Sequence, residues 1–179
     1  MQYNKKKRIA KSLISGLNTM RSISKEAKDF IVEWCMTDNT GKTKDMYDIW
    51  EIVLRNYLPN ETPVLFRGSE YINLGKIESY TTKISCAERF ATSDQGDSGN
   101  KGYYLLIMDT RHFKILNSKS NIGEYQYSYY PIFQLLAKEK SKKNSNFSKR
   151  FIDNYECEEE CVAWTKASEV TVCKIVELV

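Results

Sequence analysis

The chain has 179 residues, 41% of them hydrophobic and 28% charged, and a formal net charge of +4. That length supports one domain, or one domain with a small helical extension, and the balance excludes a disordered chain. No apolar run approaches the roughly 20 residues that a bilayer-spanning helix requires, so no membrane association is expected.

The first basic cluster, Lys5 to Arg8, resembles the start of a signal peptide, but Lys11 interrupts the adjoining stretch and leaves it too polar for an export core. A cytoplasmic protein is expected. Residues 7–20 can form a helix. Residues 24–37 carry a stronger pattern: Ser24 suits an N-cap, Glu26 favours the first turn, and Ala27, Phe30, Ile31, Trp34 and Cys35 recur on one face. After the Asn39-Thr40-Gly41 break, Met46, Ile49, Trp50, Val53, Leu54 and Tyr57 repeat that pattern until Pro59.

Beyond Pro63 the pattern turns strand-like. Val64–Phe66, Ser79–Ile84, Tyr103–Met108, Phe113–Leu116, Glu160–Trp164 and Val170–Leu178 read as strands, the last of them covered on both faces. Pro131–Ala137 reads as a short helix. The polar, glycine-rich stretch 93–102 lacks the context of a phosphate-cradling P-loop and reads as a connection. The sum is an α+β chain, with a helical region over residues 1–60 and a mostly antiparallel sheet over 61–179, together one compact domain.

Five cysteines (Cys35, Cys86, Cys157, Cys161 and Cys173) show no disulfide spacing, so reduced thiols are expected. Cys157 and Cys161 supply at most half a zinc site, and the one histidine, His112, does not complete it; no metal is expected. A second basic cluster comprises Lys138, Lys140, Lys142, Lys143, Lys149 and Arg150. It is either a solvated surface or one that steers the protein toward an acidic partner or RNA. Tyr125, Tyr127, Tyr129 and Tyr130 either stack on bases or fill a layer covering the sheet.

Three short segments carry the chemistry. In Leu65-Phe66-Arg67-Gly68-Ser69, an arginine ends an apolar strand beside a glycine. A planar guanidinium there needs an anionic partner, and a pyrophosphate suits its fork. In Glu78-Ser79-Tyr80-Thr81-Thr82-Lys83, the hydroxyls of Ser79 and Thr81 fall on one strand face. They can hold a carboxylate or a ribose, or merely reflect β-propensity. In Tyr155-Glu156-Cys157-Glu158-Glu159-Glu160-Cys161, an acidic run enters an apolar strand and sets Glu158 and Glu160 on one face. Like charges that close share a pocket only if something cationic or hydroxylic holds them.

In this order the three segments resemble the arginine–serine–glutamate class of arginine-specific mono-ADP-ribosyltransferases, and most of all the small transferases of T-even-type bacteriophages. The resemblance covers roughly residues 63–179 and implies a two-sheet, mixed, mostly antiparallel core with helices packed before it. It further implies NAD as substrate, no metal, and a monomer acting on a protein with an exposed arginine, such as a host transcription or translation protein. Arg67 and Gly68 correspond to the NAD-anchoring strand; Ser79, Tyr80, Thr81 and Thr82 to the hydroxyl-rich strand; Phe90 to the helix after it. Glu158 and Glu160 correspond to the Glu-x-Glu pair, and Tyr155 and Phe151 to the acceptor-recognising segment. Lys83 stands where the motif has its last serine, which leaves the glutamate-orienting hydroxyl open between Ser79 and Thr81. Tyr80 either packs under nicotinamide or belongs to the core.

The expected chemistry derives from those residue types. Loss of nicotinamide passes through an oxocarbenium-like ribose that a carboxylate, Glu160, can stabilise. An arginine acceptor stays protonated and attacks only if a second carboxylate, Glu158, accepts its proton. Two alternatives remain: an NAD glycohydrolase without an acceptor, and a non-enzymatic basic module binding nucleic acid or protein.

Overall fold

The computed structural model describes residues 1–19, 21–69, 72, 75–92, 103–113, 128–142, 145, 147–164 and 170–175. The segments 93–102 and 114–116, Tyr125, Tyr127, Lys143 and the end of the last predicted strand lie outside them. Among the described residues, no helix is long and apolar enough to cross a membrane.

Three helices come first: α1 (Tyr3–Asn18), α2 (Lys25–Met36) and α3 (Lys44–Asn56). Helix α1 starts at Tyr3 rather than residue 7. Part of the reason is that Lys6 is not a free basic residue: its Nζ lies 2.5 Å from Asp45 and 2.7 Å from Asp48 of α3. Helix α2 is capped as its sequence predicts, with the Ala27 amide donating to the Ser24 hydroxyl at 3.2 Å. The apolar stripes meet in one cluster. Leu13, Ala27, Phe30, Ile31, Trp34, Ile49, Trp50 and Val53 pack with Ile77, Tyr130, Leu135, Leu136 and Val162, so this core draws on both sides of residue 60.

The strands are β1 (Val64–Ser69), β2 (Ile77–Thr81), β3 (Tyr103–Asp109), β4 (Tyr129–Pro131), β5 (Glu160–Trp164) and β6 (Val170–Ile175). Helix α4 (Ile84–Thr92) follows β2, α5 (Ile132–Lys140) follows β4, and α6 (Lys149–Glu156) precedes β5. The second predicted strand therefore sits earlier than expected. Thr81 Oγ1 accepts from the Lys83 amide at 3.0 Å, and the Lys83 carbonyl accepts from the amides of Cys86 and Ala87, turning the chain into α4. Pro131 closes β4 in an extended conformation, so the predicted short helix begins one residue later and runs on to Lys140.

The fold is α+β, as expected. Its described strands, however, form one six-stranded sheet in the order β4-β5-β2-β1-β3-β6, with every pair antiparallel, and not two sheets or a mixed one. The reason lies in the middle. Strand β1 pairs with β3 along Val64–Ser69 and β2 with β5 along Ile77–Thr81, whereas β1 meets β2 only at Phe66 opposite Thr81. That single rung joins two three-stranded halves.

On β5, Val162 faces the helical core, while Cys161 and Ala163 join a second cluster with Leu65, Tyr80, Leu106, Met108, Phe113 and Tyr129. Strand β6, expected to be covered on both faces, is an edge of the sheet, and its Thr171, Val172 and Cys173 are exposed. Tyr129 and Tyr130 are buried, their hydroxyls donating to the carbonyls of Glu61 and Leu13; they fill the layers on the sheet and present no faces to bases.

Candidate active site

The three predicted segments converge where β2 lies between β1 and β5. The register sets Thr81 directly opposite Glu160 and Ser79 opposite Val162. Yet it is Ser79, on the diagonal, whose Oγ donates to Glu160 Oε1 at 2.7 Å. Thr81 donates instead to the Glu158 carbonyl at 2.6 Å. Between the two hydroxyls left open by the sequence, Ser79 is the one that touches the Glu160 carboxylate, and Thr81 holds the backbone two residues earlier.

Glu160 is only 9% exposed. A buried carboxylate requires donors, and it has a second one in the Trp34 indole, whose Nε1 lies 3.2 Å from both Glu160 Oε1 and Ser79 Oγ. Helix α2 thus contributes to the site through a residue whose helical spacing marks it only as core. The Cys35 thiol next to it is held well above its ordinary range, first by burial and then by the Glu160 carboxylate.

The turn Cys157–Glu159 leads from α6 into β5, and Glu159 adopts a left-handed φ of 49°. That conformation is costly for a residue with a Cβ and persists where surrounding contacts enforce it. Here Thr82 Oγ1 hydrogen-bonds to Glu159 Oε2, Lys83 Nζ sits 3.1 Å from Glu159 Oε1, and Lys83 Nζ donates to the Cys157 carbonyl at 3.0 Å. Thr82 and Lys83 therefore clamp the acidic turn.

Glu158 pairs with Arg89 of α4, Nη2 to Oε1 at 3.1 Å. Burial raises the pKa of this carboxylate, Arg89 lowers it, and Glu160 raises it again. Arg89 is a residue sequence reasoning missed. Tyr155 and Phe151 form a ladder on α6, with ring centroids 4.6 Å apart, continued by Phe147 at 5.5 Å. Burial raises the Tyr155 pKa, with smaller contributions from Cys35, Glu158 and Glu160.

Arg67 is 9% exposed and has two partners: Nη1 donates to the Ser79 carbonyl at 2.7 Å, and Nη2 lies 3.0 Å from Glu78 Oε2. Glu78, 2% exposed, is the second residue missed. An acidic side chain two residues before Tyr80, on the same strand face, was its available signal, because a carboxylate buried there needs a cation. Gly68 has a packing reason to be glycine. A Cβ there would lie 1.9 Å from the Ala87 carbonyl oxygen of α4, so α4 can rest against β1 only without a side chain. Tyr80 is buried in the second cluster, on the strand face opposite Ser79, and Phe90 is half exposed on α4 with the Arg89 guanidinium 5.1 Å from its ring centroid.

Among the described residues no group of three or more His, Cys, Asp or Glu side chains is placed to hold a metal ion. Cys157 is exposed, whereas Cys161 is buried in the second cluster. No protein-family model, curated protein or solved structure matches the chain.

Proposed function

We propose that the chain is a mono-ADP-ribosyltransferase that transfers ADP-ribose from NAD to arginine side chains of a protein target. The observation that carries this reading is the Ser79–Glu160 contact across β2 and β5, with Arg67 tied to the carbonyl of the same Ser79. A hydroxyl-held, nearly buried carboxylate next to a nearly buried arginine supplies the two halves of the chemistry, one for developing positive charge and one for a pyrophosphate. The near-division of the sheet at the β1–β2 rung also supports the two-sheet transferase core that the resemblance implies.

In the proposed reaction the bond between ribose C1′ and the nicotinamide ring nitrogen breaks, and nicotinamide leaves as a neutral base with the bonding pair. Glu160, oriented by Ser79 and Trp34, holds a ribose hydroxyl and stabilises the oxocarbenium-like centre. The acceptor guanidinium attacks C1′ through one nitrogen and gives its proton to Glu158. Arg67 contacts the pyrophosphate, Gly68 and Thr82 line the approach, and the Phe151–Tyr155 ladder together with exposed Phe90 receives the acceptor and the nicotinamide end.

The basic-module alternative loses support from the way its lysines are used. Lys138 donates to the Leu17 carbonyl, Lys140 pairs with Asp153 and Glu156, and Lys142 pairs with buried Glu139. The test is incubation of wild type and Glu160→Gln with labelled NAD and a bacterial lysate, resolved by gel. Hydroxylamine-sensitive label on discrete bands, present with wild type and absent with the variant, is the expected result. Nicotinamide release without a labelled band would make the protein a glycohydrolase, and no release from folded wild type would reject the enzyme altogether.

A further inference from the structure

The turn between α2 and α3 brings a cation into the site that none of the three segments contains. Asp38 Oδ1 accepts from the Thr40 amide, the Thr40 hydroxyl and the Gly41 amide at 2.7–2.9 Å, which fixes the turn. Lys42 comes next, and its Nζ stands 3.9 Å from the centroid of a Trp34 ring, the same indole that donates to Glu160. Burial acts first on the Lys42 ammonium, followed by the charges of Glu160, Arg67 and Glu78, and its place on the indole that bonds Glu160 puts it at the edge of the candidate site.

The charge arrangement singles this lysine out. Arg67 is already paired with Glu78 and Arg89 with Glu158. Lys42 enters no ion pair with the described residues; its Nζ donates only to the Asn39 side-chain oxygen at 3.3 Å. A dinucleotide brings two phosphate charges into a place where both arginines are already matched by carboxylates. One further cation with free donors suits that added charge, because an anion taken out of water is favoured by a charged partner.

We propose that Lys42 is a substrate-binding residue that takes a phosphate oxygen of NAD, moving its ammonium from the Trp34 face toward the pyrophosphate held by Arg67. This rests on the reading of the site as one for NAD. Lysine suits the task as a mobile point charge on a flexible stem, complementing the fixed fork of Arg67. The aliphatic part of its side chain keeps Trp34 covered while the head moves.

The test compares wild type, Lys42→Met and Lys42→Arg by steady-state NAD turnover and by calorimetric binding of ADP-ribose and of nicotinamide. Methionine retains packing on Trp34 without the charge. Loss of one charge-assisted contact predicts an NAD KM and an ADP-ribose Kd each raised about 10- to 100-fold in Lys42→Met, with kcat within about threefold. Nicotinamide affinity should not move, and Lys42→Arg should recover most of the loss. The salt dependence of ADP-ribose binding should also become shallower in Lys42→Met. An unchanged ADP-ribose Kd in Lys42→Met would overturn the assignment while leaving the NAD reading intact. A fall in kcat at constant KM would also overturn it, placing Lys42 in support of Glu160. Wild type that binds neither NAD nor ADP-ribose would reject the NAD reading itself, and Lys42 with it.

Discussion

Charged side chains crowd together in two parts of this molecule, and the two parts treat them differently. At the α5–α6 corner, Lys140 and Lys142 meet carboxylates from their own or the neighbouring helix, while Lys138 and Lys142 donate to carbonyls of Leu17 and Arg21. Each charge there ends a helix or ties two segments together. Along the β1–β2–β5 seam, Arg67, Glu78 and Glu160 are nearly or fully buried, and Glu160 is held by a hydroxyl and an indole instead of by a cation. Carboxylates buried in this way carry a cost to stability that exposed pairs such as Lys140 with Asp153 and Glu156 do not. The contrast separates charge that maintains the fold from charge that is available for chemistry.

The sharpest way to break that contrast is at Arg67. Arg67→Met leaves Glu78 buried and unpaired, so the variant should lose about 3–5 kcal/mol of stability in urea unfolding as well as all NAD turnover. Arg67→Met combined with Glu78→Gln removes both charges and should recover most of the stability while remaining inactive. If the double variant regained turnover, Arg67 would be a structural residue only, and the seam would resemble the lysine corner.

Ser79→Ala should show the opposite signature. It removes one of the two donors that aim Glu160 but leaves the strand pair and the Trp34 contact intact, so kcat should fall about 10- to 100-fold, with a stability loss of about 1–2 kcal/mol, well below that of Arg67→Met. Thr81→Ala, which loses only the tie to the Glu158 carbonyl, should cost less. Equal losses from the two would mean that the diagonal contact does not orient the carboxylate.

Arg89 gives a smaller and more specific effect. Glu158 must be ionised to accept a proton from the acceptor, and burial has already moved its pKa upward while Arg89 moves it back. Turnover should therefore fail, as pH is lowered, at a higher pH than an ordinary glutamate would give. Arg89→Ala removes the lowering influence, so the acid limb of kcat/KM should shift to still higher pH. A limb that stays in place would show that another group takes the proton.

Much of the fold was legible because its signals are local. Trp34, Trp50 and Ile49 fall on helical stripes that any fold must bury, and Val64–Phe66 and Glu160–Trp164 read as strands because burial leaves them apolar. Local order also brought Arg67, Ser79 and Glu160 to attention. What stayed hidden depends on register and on contacts distant in sequence. The strand period puts Ser79 and Thr81 on the same face, and only the pairing of Ser79 with Val162 lets the serine reach Glu160 diagonally. Trp34 looked like core and is core, yet its one polar atom serves the site across 126 positions of sequence. Lys42 and Arg89 carry no periodic mark at all, since a turn residue and a helix surface residue acquire meaning only from what they face. What joins the described strands into one sheet is a single rung, Phe66 opposite Thr81, which no pattern of polarity encodes.

The smallest expected effect lies at the other end of the contrast. Lys140 pairs with Asp153 at 3.2 Å and Glu156 at 2.7 Å, with nearly half of its side chain in solvent. The ion pairs raise its pKa, led by the hydrogen bond to Glu156. Water screens such pairs, and ordering a long side chain offsets most of what attraction remains. Lys140→Ala should therefore leave the thermal midpoint within about 1–2 °C of wild type and NAD turnover unchanged. If the second basic cluster were instead a surface for RNA, the same substitution would weaken the binding of a single-stranded RNA probe and flatten its salt dependence. Lys140 answers the question cleanly because it is far more exposed than Lys142, whose partner Glu139 is fully buried, so a lost RNA contact would not be confused with a damaged fold.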